Sequence, residues 1–195
     1  MKVMLVVVPL LIVGGVAILM WRMAARQQAE AKYHAGLVCS LQISSDAFDD
    51  NGDIPSEFSC EGEGISPPLR WSSLPENTKS LVLLVTDEDI PTPGFSLFKI
   101  VHWVLYNIPR DVTELGSGVT DVALSELGIV VGPNWSREMC YYPPCPVSGR
   151  HRYVFRLYAL DVGAIRPKTS NRQGVLRAME NHVIAYGELS GFYEK

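Results

Sequence analysis

A chain of 195 residues with 47% hydrophobic and 19% charged side chains is long enough for one domain with a real core and short for two. Its net charge of −4 is unevenly spread: Lys2, Arg22, Arg26 and Lys32 against Glu30 give residues 1–32 a charge of +3, which leaves −7 on the rest. An acidic body has no basic face with which to neutralise phosphates, which argues against nucleic acid as a partner.

The first feature along the chain is Val3 to Trp21, nineteen residues without a charge. At about 1.5 Å per helical residue that is close to the length needed to cross a bilayer core. Residues 1–21 are therefore expected to be a membrane anchor or a signal sequence. A cleavable signal has a shorter apolar region with a small-residue site close behind it. The nearest such site here, Ala29-Glu30-Ala31, lies past Arg22 and Arg26. The expectation is a single-pass, uncleaved anchor with the domain on the exported side, or a secreted protein if the segment is removed. Residues 22–40, rich in Ala, Gln and charge, read as a helical or flexible stalk, and the domain proper as 41–195.

Sixteen Gly and thirteen Pro are spread along the chain, most of them within that domain between short apolar runs. The runs LQISS (41–45), SLVLLVTDE (80–88), IVHWVLYNIP (100–109) and RYVFRLYALD (152–161) are rich in β-branched, aliphatic and aromatic residues and are bounded by turn formers. They predict a mainly β fold. Residues 81–85 are continuously apolar, as in a strand covered on both faces, whereas 152–159 alternates and predicts a strand with one exposed face. From Asn171 to Ala185 the apolar residues Val175, Leu176, Met179, Val183 and Ile184 recur every three to four positions, which predicts an amphipathic helix. Gly187–Tyr193 predicts a closing strand.

Cys39, Cys60, Cys140 and Cys145 are even in number and lack the paired spacing of a zinc site. One or two disulfides and buried free thiols are both open. Val38 stands where a lipoprotein cysteine would need a small residue before it.

Three segments gather polar side chains at strand ends beside Pro or Gly, where a rigid sheet can present them to a ligand: 84–91, 101–109 and 141–153. Singly they have ordinary explanations, since an Asp at a strand end is usually a turn residue and a His beside a Trp usually packs in a core. The third is less ordinary. Pro143, Pro144 and Pro146 stiffen the backbone, which then releases through Gly149 into His151, Arg152 and Tyr153.

Together, ISPPLRW (65–71), SLVLLVTDEDIP (80–91), the His102-Trp103 strand, Cys145 to Asp161 and the closing NHVIAYGELSGFY resemble the bacterial and archaeal branch of the phosphatidylethanolamine-binding protein family, also called Raf-kinase-inhibitor-like. The resemblance implies an antiparallel β-sandwich with a few peripheral helices and one small anion pocket. The matching pocket positions are Asp87, Asp89, His102, His151 and Tyr153. It implies a binding module for phosphate, a phospholipid headgroup or a carboxylate, one that could act on a protein partner such as a kinase or protease. No catalytic residue, cofactor or metal is expected. His102 and His151 are expected to offer N–H bonds or positive charge to the anion, Tyr153 a neutral donor, and Asp87 to orient a histidine or accept from a protonated ligand atom. Pro143, Val147 and Ile90 depart from the family pattern and are expected to reshape the pocket mouth. Two alternatives use the same residues: a hydrolase with Asp87 and His102 as base and His151 as acid, although no GxSxG or HExxH motif is present, or a surface-interaction protein with a remnant pocket.

Overall fold

The computed structural model describes residues 4–195, and within the first helix the side chains of residues 18–35 other than Arg26. The chain divides into two compact units, Met1–Gly36 and Leu37–Lys195. In the first, helix α1 runs Met4–Ala35, so the predicted stalk is helical over most of its length. The predicted membrane segment falls mostly outside the described side chains. Among the described residues no helix is long and apolar enough to cross a membrane.

The second unit is mainly β. Its strands are β1 Gln42–Ser44, β2 Gly52–Asp53, β3 Leu69–Ser72, β4 Ser80–Thr92, β5 Phe95–Pro109, β6 Glu114–Leu115, β7 Val130–Gly132, β8 Arg150–Leu160 and β9 Val183–Glu194, with helices α2 Asp121–Glu126 and α3 Arg172–Met179. They form a three-stranded sheet, β1-β3-β6, and a six-stranded sheet, β2-β9-β8-β4-β5-β7. All pairings are antiparallel except β2 with β9.

The main core fills the space between the sheets. Ile43, Leu69, Trp71 and Leu115 of the small sheet meet Leu81, Leu83, Val85, Trp103, Leu105, Phe155 and Leu157 of the large one. The opposite face of the large sheet carries a second core, Val82, Leu84, Val104, Tyr158 and Leu160, roofed by Val175 and Met179 of α3. Residues 81–85 are at most 2% exposed because the strand is covered on both sides, as predicted. Each such side chain contributes about 1.5–3 kcal/mol by leaving water.

The same roof corrects the reading of β8. Val154, Tyr158 and Leu160 are fully buried and Arg156 is 7% exposed, so the second face of β8 is not solvent-facing beyond Arg152. Alternation of Arg with apolar residues marks two faces, but it does not say that the polar one is wet. The C-terminal helix is also shorter than its periodicity predicts. Asn171 caps its start, accepting from the Gly174 N–H at 3.0 Å, and it ends at Met179. Val183 to Ala185 instead open β9 by pairing with Leu160 and Ala159. β-branched residues spaced to suit either structure go to the strand, because the edge of β8 offers a ladder.

Two bulges in β5 decide where its side chains point. Ile108 pairs with Leu81 and Leu105 with Leu83, so Tyr106 and Asn107 oppose Val82 alone. Asn107 takes a left-handed φ of 58° there, and its amide bonds the backbone of Ile165 in both directions. Further along, Trp103 pairs with Val85 and Val101 with Thr86, which makes His102 the extra residue. A bulge of this kind re-aims a side chain that strict alternation would send to the other face.

Candidate functional site

His102 is the side chain so re-aimed, and its ring meets the edge of Tyr153 at a centroid distance of 5.1 Å, on the face between the two sheets. Tyr153 is placed by β8, where it lies directly across from Asp87 of β4. His151 lies two residues earlier on the same face. Four of the five predicted residues, Asp87, His102, His151 and Tyr153, are thus brought together at neighbouring strand ends, and none is more than 2% exposed. Asp89 is half-buried and serves the backbone: it accepts from the Arg152 N–H at 2.9 Å and ties β4 to β8.

The roof of the site is the segment from Tyr141 to Gly149. Tyr142 bonds His102 twice, its N–H donating to the His102 carbonyl at 2.8 Å and its carbonyl accepting from the ring Nδ1 at 2.6 Å. The Ser148 carbonyl lies 3.2 Å from Nε2 of His151. Gly149, at φ +80°, makes the left-handed turn that brings the chain back into β8, a conformation only glycine adopts freely. The roof is pinned from outside. Cys60 and Cys145, both exposed and 85 residues apart in sequence, form a disulfide, and the Cys60 N–H donates to the Pro144 carbonyl at 3.0 Å. Cys39 and Cys140 are free thiols. Val147 is 96% exposed, so of the departures from the family pattern this one points away from the buried cluster.

The electrostatics differ from residue to residue. Burial raises the Asp87 carboxyl above its ordinary range, opposed by the Asp89 N–H on one oxygen at 2.9 Å and by His151 Nδ1 on the other at 2.8 Å. Both carboxylate oxygens are therefore engaged, and Asp87 orients His151. Burial depresses His102 to about 4, against the Tyr142 carbonyl, which favours the charged ring; nearby His151 depresses it further. His102 is consequently neutral at ordinary pH. Its proton sits on Nδ1, facing the carbonyl, and Nε2 is left as a bare acceptor. Burial also drives Tyr153 far above the usual phenol range, with the Asp87 charge adding to it.

Three buried polar atoms of this region find no hydrogen-bond partner within the protein: His102 Nε2, the Tyr153 hydroxyl and the Trp103 indole N–H. Asp87 and the Cys145 backbone perturb the phenol without completing a hydrogen bond of good geometry. The histidine N–H groups are already committed within the protein. Both nitrogens of His151 face protein acceptors, and His102 has given its one N–H to Tyr142. The donors left over are the Tyr153 hydroxyl and Trp103, which packs edge-on against Tyr141 at 5.5 Å. In the sequence Trp103 stands only as half of the His-Trp motif; its burial with an unpartnered indole N–H is what the structure adds. Among the described residues no group of three or more His, Cys, Asp or Glu side chains is set to hold a metal ion.

With two sheets, this strand order and this Asp-His-Tyr cluster in place, the chain belongs to the phosphatidylethanolamine-binding protein family, whose profile matches residues 44–194. Among its relatives are UPF0098 proteins of the archaeon Methanothermobacter thermautotrophicus, 43% identical over 80% of this chain and 99% of the relative, and of Chlamydia trachomatis, 41% identical with the same coverage. Solved structures agree. That of a phosphatidylethanolamine-binding protein homologue from Chlamydia trachomatis superposes with a TM-score of 0.71 at 40% identity, covering 80% of this chain and 98% of the other. That of YbcL from E. coli does so with a TM-score of 0.70 at 29% identity, covering 80% and 99%. The chain falls in this prokaryotic branch.

Proposed function

We propose that the domain is a non-catalytic binder of a small anionic ligand, such as phosphate, a phospholipid headgroup or a carboxylate, held at the cluster of Asp87, His102, His151 and Tyr153. The observation that carries this reading is the pair of unpartnered buried atoms, His102 Nε2 and the Tyr153 hydroxyl, on facing residues. A buried polar atom without a partner costs about 1–3 kcal/mol, and a ligand that completes both bonds recovers that energy. The hydrolytic reading has less support. Both ring nitrogens of His151 are engaged, and the part of Ser148 that meets the ring is its carbonyl oxygen rather than its hydroxyl.

A thermal-shift titration of the full chain with phosphate and with phosphoethanolamine tests this reading. A concentration-dependent rise in Tm that disappears in the His102→Ala/His151→Ala variant is expected, because a ligand of the native state stabilises it. A flat response to both compounds refutes it.

We infer further that the domain is held at a membrane on the exported side. The uncharged run Val3–Trp21 supports this, as does an exposed disulfide of a kind that persists in oxidising compartments. Protection of the domain from protease added to intact cells, with the chain recovered in the membrane fraction, would overturn it.

A further inference from the structure

The unpartnered atoms of the cluster are not all of one kind, and that difference constrains the ligand more tightly than its charge does. Nδ1 of His102 is 2.6 Å from a backbone carbonyl and must carry the ring proton to do so without repulsion. Nε2 then presents a lone pair that no group of the protein answers. On the neighbouring ring, 5.1 Å away between centroids, the Tyr153 hydroxyl also lacks a hydrogen-bond partner of good geometry, although the Asp87 carboxylate acts on it. A fully deprotonated anion could satisfy the tyrosine but would set its own lone pairs against that of Nε2.

We propose, resting on the reading that this cluster binds a small anion, that His102 acts as an acceptor and makes the site select an oxoacid that still carries one proton. Such a ligand donates its remaining O–H to Nε2 of His102 and accepts from the Tyr153 hydroxyl with another oxygen. A phosphomonoester monoanion has both groups. A sulfate ester of the same shape and charge has only the second. The titratable groups facing the His102 ring are Tyr142 from the roof, Tyr153 and His151 from β8, and Asp87 of β4 through His151. His102 itself stays uncharged down to about pH 4, so between pH 5.5 and 8 the proton that matters at this bond is the ligand's.

Isothermal titration of the full chain with methyl phosphate and methyl sulfate, at pH 5.5 and pH 8, separates the possibilities. At pH 5.5 methyl phosphate is expected to bind about tenfold tighter or more, the ratio that corresponds to leaving one buried acceptor unpaired. A phosphomonoester loses its last proton near pH 6, so its affinity should fall more than about tenfold by pH 8. Methyl sulfate carries one charge at both values and reports on the protein alone. His102→Gln, whose amide can turn an N–H toward the ligand, should remove the preference while Tyr153 keeps some binding of either ester. Equal affinities for the two esters, or tighter binding of methyl phosphate at pH 8, overturn the inference but leave the anion site standing. Failure to bind either ester refutes both.

Discussion

The large sheet buries a polar cluster on each of its faces, and the two are built on opposite principles. On one face Glu88 bonds Arg156 at 2.7 Å and Lys99 at 2.8 Å, Arg156 reaches on to Glu188 at 2.6 Å, and Thr86 donates to Glu88 at 2.7 Å. Two acids and two bases cancel, and each charged head has an opposite partner. On the other face, one residue before Glu88, Asp87 belongs to a group that leaves His102 Nε2 and the Tyr153 hydroxyl unanswered. A cluster that closes on itself stabilises the fold, whereas one that ends in unpaired atoms carries a standing penalty that a ligand can remove. Both hang on two adjacent residues of β4, Asp87 and Glu88, because a strand sends alternate side chains to opposite faces.

Removing one partner from the closed cluster should have the largest effect. Arg156→Met leaves Glu88 buried beside one fewer cation and is expected to destabilise the domain by about 3–5 kcal/mol in urea unfolding. A loss below about 1 kcal/mol would mean that Glu88 is already solvated and that the contrast between the faces is overstated. Next in size is the pin on the roof. Cys145→Ser is expected to cost about 2–4 kcal/mol, read as a lower Tm that dithiothreitol lowers no further.

The neighbouring carboxyls should then answer pH in opposite directions. Burial alone would raise Glu88, but Arg156 and Lys99 overcome it and hold it at about 2. Its stabilisation is therefore complete above the ordinary value of 4.5 and lost as pH falls through 2. Asp87, raised by burial, works the other way: the native state holds its proton longer than the unfolded chain, so stability falls as pH rises from 3.8 through its folded value. Unfolding of Glu88→Gln and Asp87→Asn against the parent between pH 3 and 7 reads both signs. The smallest effect is the most diagnostic. Tyr153→Phe deletes a buried donor that has no partner, so the unliganded domain should lose nothing or gain up to about 1 kcal/mol, while phosphate no longer raises its Tm. A clear loss of stability without ligand would show that the hydroxyl is bonded within the protein.

Much of this was legible in the residues. The apolar runs marked β1, β4, β5 and β8, and the unbroken run from Leu81 to Val85 marked a strand covered on both sides. The motifs named the side chains that meet at the site. What they could not carry was set by backbone. Whether His102 donates or accepts depends on a bulge that turns it and on the carbonyl of Tyr142, forty residues away in sequence. Occupation of both His151 nitrogens likewise rests on the Ser148 carbonyl, and a carbonyl has no signature in a sequence. The closed cluster is hidden in the sequence for another reason: an Arg between apolar residues in β8 reads as a wet face, and only the acids across the sheet reveal that it is buried.

The most direct measurement is the protonation of His102, followed by nitrogen-15 NMR of histidine-labelled full chain with and without phosphate near neutral pH. His102 is expected to carry its proton on Nδ1, Nε2 to show the shift of an unprotonated ring nitrogen, and phosphate to move the Nε2 signal in a saturable way. A protonated Nε2 in the free protein, or an Nε2 signal indifferent to phosphate, would contradict that expectation.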